Sequence, residues 1–536
     1  MSASTTSSVG EDYTGAENEA PKLSALFLIK FDKKVGYIIV WKRSSIDVPL
    51  DGAVEYKSLP SGLHSVKDDL VYFVHEGYAG LSAFVNAPAS EAERNAQFVA
   101  VGVLVPLSEG RLGRSWLLAE RLEHIASVIA EDPTSTGPLE DFWEEQSRPH
   151  AGSSSTKQPS QNQSRARALS TITAVVPQDQ SLHPYHPARS ILLYINIFGP
   201  LIFRLQQAAL LRKRILFVGA PPVRKMCEFV FNLSVLSSIS ARDSEYLSPG
   251  TENLLRLPSL FSVGVHDIPL LDKLRSPETN DARDDALPAR GWVACTTDEI
   301  IASKTQLYDI VVELPSTHDA APQKRRWPTM RTSEGAPIRA TQRDLRRYKL
   351  LHHELWKNQH EGDESNGDAD ADDDTIALLR QSTVKSDDGL NESYDDTVVE
   401  AMTWSRLAYL GFMWWASAGE QDADTAAERE RDRDVLGDLS DYQEGLPTAI
   451  IAYFHRSTSL LVKNLNAMVD RHDEETDDDD DDALIVDRDD VSRLGLDTWS
   501  EADKAFIQEF LWMYFGRQAE VQGASLECCG MRMPVL

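Results

Sequence analysis

Between positions 23 and 107 the apolar residues come in short, dense runs broken by polar turns, a pattern of strands rather than helices. Leu23–Phe31 reads as a buried strand, Asp32-Lys33-Lys34 as a turn, and Val35–Trp41 as the hairpin partner. Further strand-like runs, rich in Val, Phe, Tyr and Leu, occupy Asp69–His75, Gly80–Val85 and Gln97–Leu107. The period then changes. From Ser115 to Ile129, Leu118, Leu122, Ile125 and Ile129 share one face while Glu120, Arg121 and Glu123 fall off it, which predicts an amphipathic helix. This block is expected to be an antiparallel sheet backed by a helix, ending near Glu145.

From Ser147 to Gln178 the chain turns to Ser, Gln, Thr and Ala with few large apolar side chains. Such a stretch buries too little surface to offset its ordering entropy and reads as a flexible linker. A second pattern opens at His183-Pro184-Tyr185-His186-Pro187. Gly199-Pro200 starts a helix, the proline ring being pre-set for the first turn. Leu201, Leu205, Ala208, Ala209 and Leu211 form its predicted inner face, and Arg212-Lys213-Arg214 ends it with cations at the negative end of the dipole. Ile215–Val218 is short and wholly apolar, as expected of a strand buried on both faces of a partly parallel sheet. Gly219-Ala220-Pro221-Pro222 turns the chain into a helix carrying Met226, Val230 and Leu233. Strands are predicted at Ser262–Asp267, Trp292–Cys295 and Tyr308–Leu314. The alternation makes this block α/β.

Beyond Pro315 the pattern is mainly helical and heavily interrupted. A basic stretch (Lys324, Arg325, Arg326, Arg331, Arg339, Arg343, Arg346, Arg347, Lys349) precedes a helix through Leu350, Leu351 and Leu355. An acid run, Glu361–Asp374, separates it from an aromatic-rich helix at Thr397–Ala418, with Trp404, Leu407, Leu410, Phe412, Trp414 and Trp415. A charged insertion, Glu420–Asp434, is followed by an amphipathic helix at Pro447–Val469 and a second acid run at Asp473–Asp482. Thr498-x-x-Glu501 reads as the capping box of a last helix carrying Phe506, Phe510, Leu511, Tyr514 and Phe515.

Composition narrows the function classes. The 536 residues suggest about three or four domain-sized units. With 84 acidic against 54 basic residues the net charge is −30. That balance argues against a sequence-independent grip on nucleic acid and against broad electrostatic adsorption to anionic membrane. The four cysteines, Cys227, Cys295, Cys528 and Cys529, make no disulfide framework and fit a reducing compartment. The polar first twenty residues predict neither a signal nor a transit peptide. The longest apolar run, Ile191–Phe203, falls short of the ~20 residues a spanning helix needs, so no transmembrane segment is expected.

The candidate motifs favour bland readings. The Gly219–Pro222 turn sits where a phosphate loop would, but its two prolines remove backbone donors that a phosphate cradle needs. Asp368, Asp370 and Asp372 have alternate spacing like a calcium loop, yet Asp373 stands where the turn glycine belongs and Leu379 where the bidentate glutamate belongs. His352 and His353 are adjacent and diverge by about 100° on a helix, so they cannot share a metal. Cys227 and Cys295 read as core packing. The adjacent Cys528 and Cys529 are candidates for palmitoylation, against the plainer reading of a packed terminal strand. No catalytic, cofactor-binding or metal-ligating residue is assigned, and no cofactor is expected. Function is therefore expected to lie in binding a partner.

The phrase Pro200-Leu201-Ile202-Phe203-Arg204-Leu205-Gln206-Gln207-Ala208-Ala209-Leu210-Leu211-Arg212-Lys213-Arg214-Ile215-Leu216-Phe217-Val218-Gly219 feeds a helix directly into a core strand. With Phe261–Asp267, Gly291–Asp298, Leu307–Val312 and the terminal Cys529–Pro534, it resembles the DENN-domain proteins, most closely the LCHN branch and its fungal relatives. The resemblance implies an α/β fold with a longin-like N-terminal lobe (antiparallel sheet plus helices). An α/β DENN lobe and a mostly helical C-terminal part with acidic disordered insertions would follow. The implied boundaries are a disordered N-terminus at 1–21, the longin-like lobe at 22–145, a linker at 146–182, the central lobe at 183–317 and the helical region at 318–536. The insertions would fall at about 359–392, 419–443 and 471–490.

The implied activity is guanine-nucleotide exchange on a Rab-type small GTPase in membrane traffic, in a cytoplasmic protein associated peripherally with intracellular membranes. No single exchange residue is carried over. Two rivals stand beside this reading: a longin/DENN-fold adaptor without exchange activity, and an acidic carrier of basic partners that works through its Asp-rich runs. The basic stretch would either pair with those runs within the molecule or meet a phosphoinositide head group.

Overall fold

The computed structural model describes residues 20–32, 34–88, 96–147, 182–275, 291–315, 326–363, 397–416, 426–437, 445–475, 483–522, 525–528 and 531–534. They divide into two compact units, one from the described residues of Met1–Ala174 with His183–His186, the other from those of Val175–Leu182 with Pro187–Leu536.

The first unit is built on five antiparallel strands: β1 (Ala25–Asp32), β2 (Gly36–Ser44), β3 (Asp68–His75), β4 (Tyr78–Pro88) and β5 (Ala96–Pro106), in the order β3-β4-β5-β1-β2. Two glycines in strand interiors have a packing reason. Phe27 lies across from Gly102, and a Cβ there would come within 2.3 Å of its ring; Gly80 sits under Phe73 in the same way. Three helices complete the unit: α1 (Val54–Ser58), α2 (Ala119–Glu131) and α3 (Gly137–Ser147). Leu118, Leu122, Ile125 and Ile129 are all buried, as their spacing predicted. Each such side chain contributes about 1.5–3 kcal/mol of burial. The helix that the period predicted from Ser115 opens as a 3-10 turn, Ser115–Leu118, before α2 begins. Helix α3 buries Leu139 and Phe142, and its Glu140 accepts hydrogen bonds from Trp41 (3.0 Å) and Arg43 (2.8 Å).

The segment His183–His186 also belongs to this unit. Tyr185 donates its hydroxyl to Glu123 at 2.6 Å, and the His186 ring stands edge-on to Trp116 at 4.8 Å. Burial, with the nearby His183 adding to it, pushes the His186 imidazole down from 6.5 to about 4. The folded state thus keeps His186 neutral where the unfolded chain takes a proton. Stability from this group is present above pH 6.5 and is lost as pH falls towards 4, by up to about 3 kcal/mol. Urea midpoints of the wild type should fall over that window relative to those of His186→Gln, which should lack this component of the slope.

The second unit contains a mixed sheet of β6 (Arg214–Val218), β7 (Ser259–Ser262), β8 (Trp292–Thr296), β9 (Ile310–Glu313) and β10 (Thr329–Thr332), in the order β10-β9-β6-β8-β7. All neighbours are parallel except β10, which runs antiparallel to β9. The apolar run Ile215–Phe217 is buried in the middle strand, as its composition required. The long apolar run before it is split into α4 (Ile191–Phe198) and α5 (Leu201–Leu210), which meet at a bend of 118°. Gly199 makes the bend at φ +54°, and Trp327 packs so close that a Cβ would come within 2.4 Å of its ring. No single helix among the described residues is long and apolar enough to cross a membrane.

Four more helices follow along the chain: α6 (Val223–Leu236), α7 (Ile268–Arg275), α8 (Glu299–Ser303) and α9 (Gln342–Asp363). Then come α10 (Trp404–Ala416), α11 (Ala426–Leu436), α12 (Leu446–Glu475), β11 (Leu484–Val486), α13 (Arg488–Arg493), α14 (Glu501–Phe515) and β12 (Ala519–Val521). A terminal hairpin, β13 (Ser525–Cys528) and β14 (Met531–Pro534), ends the described chain. Val462, Leu465, Ile507, Phe510 and Tyr514 form the centre of the core between α12 and α14.

Several expectations shift. The strand placed at Ser262–Asp267 is β7, Ser259–Ser262, followed by a 3-10 turn; the Asp267 carboxylate captures the Gly264 amide at 3.0 Å and closes it. The last helix is capped by Ser500, which accepts from the Asp503 amide, rather than by Thr498. Helix α10 begins at Trp404, not Thr397. The backbone at Val398 and Glu400 is taken up by Ala340 at 2.8 Å each, with Val398 and Val399 buried against Leu201. The interval 419–443, expected as an insertion, holds α11, where Asp432, Arg431 and Glu428 are engaged by Arg343, Ser492 and Ser492 in turn. The interval 471–490 likewise holds the end of α12, β11 and the start of α13. Of the linker expected at 146–182, nearly all lies outside the described residues.

The cations after α5 part company. Arg212 is buried and donates to the carbonyls of Ala209 (2.8 Å), Leu254 (2.6 Å) and Ser237 (3.2 Å). Lys213 pairs with Glu509, and Arg214 grips Asp309 through both carboxylate oxygens. Burial raises the Asp309 carboxyl, but the Arg214 bonds outweigh it and hold the group below its ordinary value.

Candidate functional site

Every residue of α5 is buried, so its three polar members must find partners inside the protein. Arg204 lies 2.9 Å from Asp344 at the start of α9 and 2.8 Å from Asp503 at the start of α14, and donates to Gln207 at 2.8 Å. Gln207 in turn donates to Asp503 at 3.0 Å, whose other oxygen accepts the Asp497 amide at 2.8 Å. Asp497 takes Arg406 of α10 at 2.8 Å, and Arg343 of α9 forks onto Asp432 of α11 at 2.6 and 2.7 Å. One connected cluster thus fastens α5, α9, α10, α11 and α14 together.

Its electrostatics are set by burial. Desolvation raises the Asp503 carboxyl against the pull of Arg204, and Asp344 adds to the rise. Glu400, just before α10, is raised by burial first and then by Asp503, Asp344 and Asp497, with Arg204 opposing. Burial pushes Arg204 down, yet Asp344, Asp503 and Glu400 outweigh it and hold the guanidinium firmly charged. Beside the cluster is a cavity of about 30 Å³ lined by Phe203, Gln206, Arg347, Ser457, Thr458 and Leu461 among others. It has room for a water or two, not for a nucleotide.

Helix α10 rides on this cluster. Arg406 points in, and Tyr409 rests on Arg488 (5.1 Å) and Trp499 (5.4 Å). The opposite face is Trp404, Leu407, Ala408, Gly411 and Phe412, the i, i+3, i+4, i+7, i+8 stripe of one helical face. It carries no charge, and Trp404 is 87% exposed and Phe412 54%. Met402 extends it. Contiguous exposed apolar surface of this kind marks interaction sites, and Trp is the residue most enriched at their centres.

The family model for DENN domain-containing protein 11 matches residues 26–324, more than half of the chain. The chain belongs to that family. A DENN domain-containing protein 11 from Xenopus laevis is 33% identical over 304 residues, covering 55% of this chain and 60% of the relative. One from Danio rerio is 32% identical over 309 residues, covering 56% and 55%. The chain therefore spans a little over half the length of these curated relatives. The uncharacterized protein ANR2 of Saccharomyces cerevisiae matches from end to end, 96% of this chain and 95% of its own, at 23% identity. A domain of unknown function (DUF4484) matches residues 399–484 and 478–534. In this DENN-family chain the charge cluster joins Arg204, inside the first match, to Arg406, Asp497 and Asp503, inside the second.

The residues singled out by motif fare unevenly, as chemistry would suggest. Cys528 ends β13 opposite Met531, and Cys529 lies outside the described residues. Asp368, Asp370, Asp372, Asp373 and Leu379 also lie outside them. His352 and His353 sit on α9, the first ring 5.7 Å from Tyr348 and the second 3.5 Å from Glu354. Among the described residues no three His, Cys, Asp or Glu side chains gather as metal ligands would. The basic stretch does not act as one surface: Arg343 meets Asp432, Arg331 meets Glu313, and Arg347 lies over the Phe203 ring at 4.2 Å. Sequence reasoning missed the cluster because its members look like ordinary helix-surface charges. The signal that could have found it is Arg204, a lone cation inside an otherwise apolar helical face. Cys227 and Cys295, too, read as separate core residues, whereas their sulfurs lie 3.6 Å apart.

Proposed function

We propose that this protein is a guanine-nucleotide exchange factor for a Rab-type small GTPase in membrane traffic, of the LCHN-like branch of its family. The first unit would be the longin-like lobe (22–145), followed by the DENN lobe (183–317) and the helical region (318–536). Membership of the DENN domain-containing protein 11 family carries this reading. Exchange also asks for no bond to be made or broken. The factor needs only to bind the nucleotide-free GTPase more tightly than the loaded form. Release faster by ~10³-fold corresponds to about 4 kcal/mol of such preference, within reach of an interface with a few aromatic anchors. In the second unit, the uncharged outer face of α10 is the surface we assign to the partner.

The test is release of a fluorescent GDP analogue from a panel of purified Rab GTPases. Acceleration confined to one or two members, reduced at least tenfold by Trp404→Asp, is the expected result. Acceleration that survives this substitution would move the contact away from α10 and leave exchange standing. No acceleration on any member, with binding to a GTP-loaded one, would replace exchange by the adaptor reading.

A further inference from the structure

Two of the four thiols in the chain meet inside the second unit. Cys227 lies in the second turn of α6 and Cys295 near the end of β8, 68 positions further along the chain. Both are essentially inaccessible, at 1% and 0%. Their sulfurs are 3.6 Å apart, in van der Waals contact. Cys295 is flanked in the sheet by Phe217 of β6 and Ser262 of β7, so the strand is held from both sides while α6 lies across it. A disulfide requires about 2.05 Å between sulfurs, and side-chain torsions on two adjoining elements can close a gap of this size.

We infer that Cys227 and Cys295 are an oxidisable dithiol, a modification site at which hydrogen peroxide ties α6 to β8. One thiol attacks a peroxide oxygen, forming a sulfenic acid and releasing one water. The second thiol then displaces the sulfenic oxygen as a second water, forming the S–S bond. Two electrons pass from the thiols to each peroxide molecule, and a dithiol reductant reverses the step. Contact with a second thiol is what directs the sulfenic acid to a disulfide instead of onward to the irreversible sulfinic acid. Burial sets the speed: oxidant enters when the first turns of α6 open, so the pair responds to sustained rather than brief exposure. The bond then restrains that opening.

The full chain carrying Cys528→Ser and Cys529→Ser is treated with hydrogen peroxide while folded, then denatured in an alkylating reagent and digested with trypsin. Cys227 and Cys295 fall in separate tryptic peptides, 226–242 and 291–304. The expected result is a single linked pair of these peptides, abolished by dithiothreitol, with a melting midpoint raised by roughly 5 °C or more in the oxidised protein. Recovery of both peptides fully alkylated, or as sulfinic acids without a link, would overturn the proposal. So would a link that forms only when peroxide is added to the protein in urea. Cys227→Ala serves as the second variant: its oxidised form should show no shift in melting midpoint.

Discussion

Replacing Arg204 by alanine is expected to destabilise the second unit by about 3–5 kcal/mol, the range for removing one partner of a buried ion pair. The loss has a definite origin. Asp344 and Asp503 are only 2% and 1% exposed, and both depend on this guanidinium. Without it they must either stay charged without compensation or take up protons. The second course makes the defect depend on pH. Carboxyls forced to bind protons in the folded state have pKa values above those of the unfolded chain, so stability falls as pH rises through the folded values. Urea unfolding of Arg204→Ala should therefore show a smaller loss at pH 5 than at pH 8. An equal loss at both would mean that packing, not charge, is what Arg204 supplies. Adding Asp503→Asn should recover part of the loss, because one stranded carboxylate is then removed.

Gly291→Ala should be comparably severe, at about 4 kcal/mol or loss of folding, for a different reason. Gly291 adopts φ +67°, which costs an alanine roughly 1 kcal/mol, and its new Cβ would lie 1.9 Å from the carbonyl oxygen of Arg212. That oxygen is backbone and cannot rotate away. Arg212 itself sits at φ +52° with its guanidinium bound to three carbonyls, so any shift breaks hydrogen bonds already made in the interior. Gly250→Ala is the control. It has φ +91° with nothing within 4 Å, and should cost only the backbone strain. Thermal melts of the two variants separate strain from collision. A loss at Gly291 no larger than at Gly250 would show that the Arg212 turn yields.

Much of the fold could be read residue by residue. The hairpin of β1 and β2, the buried strand β6 and the inner face of α2 follow from period and turn chemistry, which act over a few neighbouring positions. Boundaries moved where a hydrogen bond outside the periodic pattern intervened, local in one case and long-range in the other. Asp267 turned a strand end into a 3-10 turn, and Ala340 held Val398 and Glu400 extended and delayed α10. Helix α10 shows a subtler limit. Its stripe of Trp404, Leu407, Ala408, Gly411 and Phe412 is a clear helical face, and a pattern alone assigns such a face to the core. The structure turns it outward and buries Arg406 in its place.

The amino-acid sequence by itself determined the five strands of the first unit, the longer helices such as α2, α5, α12 and α14, the mixed character of the second unit and the family, because each rests on local periodicity or on a continuous phrase. The short elements α11, β11 and α13 inside the charged intervals it did not show. Tertiary structure alone decided which charges meet. Arg204 and Asp503 are 299 positions apart, and nothing near either one names the other. A buried charge is tolerated only beside an opposite one, and that choice depends on distance through space and on exclusion of water. Neither quantity exists until the chain has packed.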